Sequence, residues 1–146
     1  MTPTKEDFER MLNSARTARA NAYAPYSRYH VGAAVLTRLG TIHAGANVES
    51  ATLGATLCAE RAAIAAMVVA GAAPPVACLV LTGGPRPAAP CGICRQVLAE
   101  FATDMAIVLV AERKGRGGAV SSTLMRRTVR LRALLPDAFR LRGFTA

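Results

Sequence analysis

Two cysteines, Cys91 and Cys94, lie three positions apart in the segment PCGICRQ, directly after a proline. Pro90 favours a helix start, and the spacing of three residues places both thiols side by side on the first turn. The partial positive charge at a helix N-terminus favours thiolate over thiol. The pair alone is compatible with a thiol–disulfide redox pair, with half of a structural zinc site, or with part of a catalytic metal site.

A third sulfur, that of Cys58, favours the catalytic metal site. Cys58 lies near the predicted start of another helix, in the segment CAER. Three thiolates with one open position form the ligand pattern of a catalytic zinc ion, whereas structural sites usually close all four positions. Cys78 could be a fourth ligand, but it lies inside the apolar run ACLVL and is predicted to be a small core residue. A redox pair would leave Cys58 without a role.

Glu60 and Arg61 follow Cys58 directly and are predicted to take part in the same chemistry. Glu60 leaves the helix in a different direction from the Cys58 sulfur, so its carboxylate can reach a water without occupying the metal. Zinc lowers the pKa of a bound water, but three thiolates weaken this effect by donating charge. Arg61 and the two helix N-termini would restore positive potential. On their own, an acid and a base here would be ordinary surface residues.

The elements that must position these residues alternate between helices and strands. Hydrophobic spacing predicts helices over residues 4–20, 57–70 and 91–101. After Arg61 the second helix is apolar on all sides, which indicates burial on more than one face and suggests a subunit interface. Strands are predicted over residues 31–36, 41–46, 76–81 and 107–111, and an edge strand with a short helix over residues 123–135. This order predicts a layered α/β sandwich.

Length, charge and cysteine usage limit the class of protein. A chain of 146 residues is expected to form one domain. The N-terminal residues carry no apolar signal region, and four cysteines without one suit a reducing compartment, so a soluble cytoplasmic protein is expected. The net charge of +9 is concentrated from Arg113 onward. This basic stretch could bind nucleic acid, but no RNA-binding motif accompanies it, and a solvated basic face is favoured.

In combination, the segments CAERAAI and PCGICRQVLAEF resemble the zinc motifs of the zinc-dependent cytidine deaminase family in its short form. The segment AYAPYSRYHVGAAVL is similar to the family's first loop and strand, GANVESATLGATLCAERAAI to its ribose-binding segment and first zinc helix, and LLPDAF to its C-terminal end. The resemblance implies a three-layer α/β/α sandwich around a mixed sheet of about five strands. It also implies a single catalytic domain over residues 1–146.

The resemblance implies a role for each matching residue. Cys58, Cys91 and Cys94 would hold Zn²⁺. Glu60 would take a proton from the attacking water, give one to the pyrimidine N3 and help ammonia leave, with Arg61 as electrostatic support for the thiolates. The residues implied to bind the substrate are Asn47, Glu49, Tyr29, Ala59 and Phe139. Among these, Glu49 would favour the ribose 3′-hydroxyl, and Phe139 would close the site, either that of its own chain or that of a neighbouring subunit.

The implied reaction is the hydrolytic deamination of cytidine and deoxycytidine to uridine and deoxyuridine, as in pyrimidine salvage, by a homotetramer. Three features depart from the family pattern: Leu53 replaces a frequent tyrosine, Tyr29 replaces a phenylalanine, and the segment 115–132 is longer and more basic. One alternative is a deaminase of a modified cytidine or a blasticidin-type nucleoside antibiotic, although Asn47 and Glu49 favour a ribose-bearing substrate. A basic nucleic-acid-binding protein or polynucleotide deaminase is a further alternative.

Overall fold

The structure is a computed structural model, and it describes residues 2–113 and 123–141. The helices are α1 (Lys5–Ala20), α2 (Ala59–Val69), α3 (Gly92–Phe101) and α4 (Leu131–Leu134), with one 3₁₀ turn at Leu53–Ala55. The strands are β1 (Gly32–Thr37), β2 (Ile42–Ala46), β3 (Pro75–Gly83), β4 (Ala106–Arg113) and β5 (Thr123–Arg130). Among the described residues, no helix is both long enough and apolar enough to cross a membrane.

All five strands form one mixed sheet in the order β2-β1-β3-β4-β5. Strands β3 and β4 are parallel, and every other neighbouring pair is antiparallel. Helix α1 packs on one face, while α2 and α3 pack on the other, which gives each face its own hydrophobic core. The predicted three-layer α/β/α sandwich is confirmed. Strand β1 is buried along its whole length because helices cover both of its faces.

Helix α1 begins as its sequence predicts. The Thr4 hydroxyl accepts a hydrogen bond from the Asp7 backbone N–H, and the Asp7 carboxylate accepts one from the Thr4 backbone N–H, which completes a capping box. Met11, Leu12 and Ala15 share the face that packs on the sheet and are almost fully buried. This packing fixes the position of α1 on the side of the sheet opposite the cysteines.

Helix α2 lies unusually close to strand β2. A Cβ atom added to Gly45 would lie only 2.3 Å from the backbone nitrogen of Ala63 and 2.6 Å from the Ala59 carbonyl oxygen. Real Cβ atoms do not approach backbone atoms so closely, so only glycine permits this contact. The close approach holds the first turn of α2, and with it Cys58 and Glu60, against the sheet.

Helix α2 buries Ala63, Ile64 and Met67, but Val68 and Val69 remain 51% and 89% exposed, so this single chain covers only one side of an apolar helix. The glycine-rich and basic sequence of residues 112–122 predicts an exposed turn, but this segment falls almost wholly outside the described residues, since Glu112 and Arg113 end strand β4. The edge strand and short helix predicted over residues 123–135 are confirmed as β5 and α4.

Candidate active site

The three predicted sulfur ligands converge at the starts of two helices. Cys58 is the N-cap residue of α2, Cys91 is the N-cap residue of α3, and Cys94 lies in the first turn of α3. The three sulfur atoms lie within 4.8 Å of one another, and the Sγ atoms of Cys58 and Cys91 are 3.9 Å apart. Tetrahedral zinc with Zn–S bonds of about 2.3 Å places its sulfurs about 3.8 Å apart. The sulfur triangle therefore fits zinc.

Cys78 does not join this group. It lies in the middle of strand β3, is fully buried and packs in the core between the sheet and the helices α2 and α3. Burial raises the pKa of its thiol well above the ordinary value, and the charge of Glu60 raises it further. The group of sulfurs close enough to share a metal consists of Cys58, Cys91 and Cys94, so Cys78 is the core residue that its apolar surroundings predict.

The cysteine cluster favours a thiolate even without a metal. The pKa of Cys58 is lowered because its sulfur accepts hydrogen bonds from Cys94 and Arg61. The pKa of Cys94 is raised correspondingly, because its thiol donates to Cys58 and is buried. The Nη2 atom of Arg61 lies 3.9 Å from the Cys58 sulfur and also donates to the Thr56 carbonyl. Arg61 thus stands where it can offset negative charge on the sulfurs.

Glu60 is the second residue of α2 and is only 5% exposed. Burial raises the pKa of its carboxyl, and negative charge on Cys58 opposes its ionisation further. A carboxyl group with a raised pKa can both accept and return a proton near neutral pH, as a general acid–base catalyst must. The structure therefore places a buried carboxyl group with a raised pKa beside the sulfurs.

A pocket of about 200 Å³ opens in front of Cys58 and Glu60. Its walls come from the loop before β1, the segment after β2, the start of α2, the end of β3 and the loop before α3. The lining residues are Tyr29, Val31, Asn47, Thr56, Cys58, Ala59, Glu60, Val80, Thr82, Ala88 and Ala89. Three of the residues predicted to contact the substrate, Tyr29, Asn47 and Ala59, line this pocket.

The Asn47 side chain is held by backbone groups at both ends of its amide. The backbone N–H of Val31 donates to Oδ1 at 2.8 Å, and Nδ2 donates to the Tyr29 carbonyl oxygen at 2.9 Å. The residue is 8% exposed. One N–H and one lone pair of the amide remain available for a ligand, so Asn47 presents a fixed donor and acceptor to the pocket.

Glu49 lies two residues after Asn47 but not in the wall of the pocket. Its carboxylate accepts hydrogen bonds from the Ser27 hydroxyl, from the Tyr26 backbone N–H at 2.9 Å and from the Ser27 backbone N–H at 3.1 Å. The Ser27 hydroxyl lowers the pKa of Glu49 most strongly, with help from the two backbone N–H groups. Glu49 is therefore ionised and positioned by the loop before β1.

Two other predicted residues lie away from the pocket in this single chain. Phe139 is 69% exposed, and its backbone N–H and carbonyl are both hydrogen-bonded by the Gln96 side chain on α3. Leu53 is 72% exposed in the short 3₁₀ turn before α2. Phe139 is therefore not among the residues that line the pocket of its own chain.

Sequence reasoning missed several residues that support the site. Arg95 donates from Nε to the Pro90 carbonyl at 2.8 Å and from Nη1 to the Leu134 carbonyl at 3.0 Å, which ties the loop before α3 to α4. The Ser27 hydroxyl joins the carboxylate of Glu49 to the backbone N–H of Tyr29. The position of Arg95 next to the cysteine pair was a usable signal, whereas nothing local marks Ser27.

Comparison with known proteins gives consistent matches. Residues 5–111 match a family model described as the cytidine and deoxycytidylate deaminase zinc-binding region. A cytidine deaminase of Halalkalibacterium halodurans is 45% identical over 95 residues, which cover 65% of this chain and 72% of that protein. A cytidine deaminase of Mycobacterium tuberculosis is 39% identical over 138 residues, with coverage of 92% and 91%.

Solved structures give the same result. The crystal structure of cytidine deaminase from Burkholderia pseudomallei superposes with a TM-score of 0.76 at 38% identity, covering 90% of this chain and 98% of that one. That of cytidine deaminase from Mycobacterium tuberculosis superposes with a TM-score of 0.72 at 37% identity, covering 92% and 98%. The sheet order and the cysteine cluster thus lie within a framework shared with these structures.

Proposed function

The chain belongs to the cytidine and deoxycytidylate deaminase zinc-binding family, and on this basis we propose that it hydrolyses cytidine to uridine and ammonia. One observation carries the proposal: Cys58 and the buried carboxyl of Glu60 line one pocket, and the sulfurs of Cys91 and Cys94 lie within 4.8 Å of the Cys58 sulfur. Neither a redox pair nor a nucleic-acid surface would require that convergence. The reaction makes a C–O bond at the pyrimidine C4, breaks the C4–N bond and consumes one water.

Cys58, Cys91 and Cys94 would hold the zinc ion of this family. Bound zinc supplies a Lewis acid that lowers the pKa of water in the pocket. The three thiolates would leave a net negative site, but the N-termini of α2 and α3 and the guanidinium of Arg61 lie beside them. We expect about one zinc per chain in the purified protein, the stoichiometry of a three-thiolate site.

Glu60 would carry the protons of the reaction. Its buried carboxyl faces the same pocket as Cys58, so it can take a proton from the attacking water. It can then deliver this proton to N3 of the ring, take a second proton from the hydroxyl group formed at C4 and pass it to the departing amino group, which leaves as ammonia. The raised pKa suits this double role, because a carboxyl of ordinary pKa would hold a proton too weakly to return it.

The sugar and the base would be held by other residues in and beside the pocket wall. The free N–H and lone pair of Asn47 would bond the ribose, and Tyr29 and Ala59 would border the pyrimidine. Glu49 would accept from the 3′-hydroxyl, since a carboxylate bonded by two backbone N–H groups and one hydroxyl retains acceptor capacity. None of these proposed contacts distinguishes a ribose with a 2′-hydroxyl from one without it.

Cytidine and deoxycytidine are therefore expected to be converted at rates within about tenfold of each other, a difference of about 1.4 kcal/mol. The measurement is the loss of ultraviolet absorbance with each nucleoside, with ammonia counted in parallel. The same panel includes 5-substituted cytidines and a blasticidin-type antibiotic. Faster turnover of one of these compounds would indicate that the enzyme acts on a modified substrate. No turnover of any nucleoside, together with salt-sensitive RNA binding, would indicate a nucleic-acid-binding protein instead.

The contacts of the basic stretch weigh against nucleic acid as the substrate. The guanidinium of Arg126 stacks 4.5 Å from the ring centroid of Phe8 on α1, which is an internal cation–π contact. Arg130 pairs with Asp104 at 2.8 Å, and Arg132 lies 3.6 Å from the same carboxylate. Much of the positive charge that the structure describes in this stretch therefore fixes β5 and α4 in place.

We further propose a homotetramer in the cytoplasm, with residues 1–146 as one catalytic domain acting in pyrimidine salvage. The exposed apolar side of α2 and the exposed Phe139 support assembly, because exposed apolar surface is often buried at an interface and Phe139 does not line the pocket of its own chain. The cysteine cluster supports a reducing compartment, since its thiols must stay free to bind metal.

The assembly is tested by placing a charge on α2. Val69→Asp is expected to shift the protein from tetramer to smaller species in sedimentation velocity, because a carboxylate would be desolvated at an apolar contact. Leu39→Asp is the matched control, since Leu39 is 77% exposed in the turn between β1 and β2. A wild-type monomer, or a Val69→Asp tetramer, would contradict this proposal.

A further inference from the structure

We propose that Arg19 is a positioning residue for the substrate pocket and acts through the peptide unit between His30 and Val31 on the side chain of Asn47. The inference rests on the proposed role of Asn47 in binding the nucleoside. Arg19 belongs to α1, on the face of the sheet opposite the cysteine ligands. It does not line the substrate pocket but borders a separate cavity of about 430 Å³.

One peptide unit connects Arg19 to Asn47. The Nε atom of Arg19 donates to the His30 carbonyl oxygen at 3.0 Å. The N–H of the same peptide unit, that of Val31, donates to Oδ1 of Asn47 at 2.8 Å. A trans peptide is planar, and its C=O and N–H point in opposite directions, so fixing one group fixes the other. Hydrogen bonds in such a chain also polarise and strengthen one another.

The conformation of the segment around His30 depends on the orientation of the peptide unit between His30 and Val31. The other end of the Asn47 amide donates to the Tyr29 carbonyl, so the Asn47 side chain bridges the residues on either side of His30. Because the guanidinium of Arg19 is charged, its hydrogen bond to the His30 carbonyl is stronger than one from a neutral donor. Rotation of the His30–Val31 peptide would turn the Val31 N–H away and free the Asn47 amide to rotate.

The surroundings of Arg19 fix the guanidinium itself. Its Nη1 atom lies 3.7 Å from Oε2 of Glu112 at the end of β4, and Arg16 pairs with the other oxygen of Glu112 at 2.8 Å. Two glycines leave room for the side chain: a Cβ on Gly32 would lie 2.8 Å from the Arg19 Cβ, and a Cβ on Gly83 would lie 2.5 Å from its Nη2. The arginine thus occupies a slot bordered by β1, β3 and β4.

The test compares Arg19→Met with Arg16→Met. Each variant removes one guanidinium that faces Glu112, but only Arg19 bonds the His30 carbonyl. Arg19→Met is expected to raise KM for cytidine about tenfold, with kcat changed less than about threefold, because ground-state positioning is lost. Arg16→Met is expected to leave both constants within about twofold of wild type. Equal KM values for the two variants would overturn the inference.

Arg19→Lys provides a second variant that retains the charge. Lysine can donate to the His30 carbonyl but lacks the second guanidinium nitrogen that faces Glu112. We therefore expect the KM of Arg19→Lys to lie between those of the wild type and Arg19→Met. Should Arg19→Met fail to fold, Arg19→Lys alone decides: a KM indistinguishable from that of Arg16→Met overturns the inference. Zinc content is expected to stay at the wild-type level in all three variants.

A double variant tests whether Arg19 acts through Asn47. Asn47→Ala is expected to raise KM, and adding Arg19→Met to it should raise KM no further, since the group being positioned is already gone. Fully additive effects would overturn the inference. If Asn47→Ala leaves KM unchanged, or the wild type does not deaminate cytidine, the proposed function fails first. If Asn47→Ala raises KM while Arg19→Met does not, the inference alone fails.

Discussion

Glu60→Gln is expected to abolish nearly all deamination while the zinc content stays at about one per chain, the stoichiometry of a three-thiolate site. Glutamine has the shape of glutamate, so the buried position in α2 keeps its packing. The amide cannot take a proton from water or return one to N3. Loss of a general acid–base catalyst typically costs 10²–10⁴-fold, and we expect at least this fall in kcat because Glu60 serves several proton transfers.

Glu100→Gln is the matched control for this change. Glu100 lies on α3 and is exposed, so the same chemical substitution there should leave kcat within about twofold, as for an ordinary surface position. The comparison uses absorbance loss with cytidine, and zinc analysis of both variants. Turnover by Glu60→Gln at the wild-type rate would remove Glu60 from the mechanism, even if the metal site proved correct.

Cys91→Ala is expected to lose both zinc and activity. Cys91 is exposed at the start of α3, so truncation creates no buried cavity and the fold should survive. Two thiolates cannot hold zinc as three do, and we expect affinity to fall by more than the roughly 10–100-fold that removal of an outer-shell partner causes. The measurement is a competition with a chromogenic chelator, read alongside turnover of cytidine.

Cys78→Ala is the control for Cys91→Ala, because it removes a cysteine that is not a predicted zinc ligand. Its thiol is fully buried in β3 and outside the sulfur triangle, so this variant should keep its zinc and its activity. It should lose some stability, because a small cavity remains. Zinc affinity that falls with Cys78→Ala and not with Cys91→Ala would show that the wrong thiols had been assigned.

Much of the fold could be predicted because the signals are local. The capping box of Thr4 and Asp7 marked the start of α1, and the continuous apolar runs marked β3 and β4 as central strands. The two cysteine motifs at helix starts were enough to suggest a site of three sulfurs, although the meeting of the starts of α2 and α3 is a property of the whole fold. The apolar neighbours of Cys78 were enough to distinguish it from the three cysteines predicted to bind zinc.

The rest of the site depends on contacts between distant residues. Glu112 pairs with Arg16 across 96 positions of the chain, and Arg19 reaches the pocket only through a backbone carbonyl. Neither contact has a local pattern, because the sheet order that brings α1 beside the end of β4 is a property of the whole fold. Phe139, which the resemblance implied to contact the substrate, is exposed in this single chain, and its predicted role depends on the proposed assembly.

X-ray absorption at the zinc edge of the purified protein is the most direct test of the metal centre on which the proposed chemistry depends. Coordination by three sulfurs at about 2.3 Å with one lighter atom from solvent is expected, since this leaves a position for the reacting water. Four sulfurs would mean a closed structural site that includes Cys78. A first shell without sulfur would mean that Cys58, Cys91 and Cys94 do not bind the metal, and the proposed deaminase would lose its chemical basis.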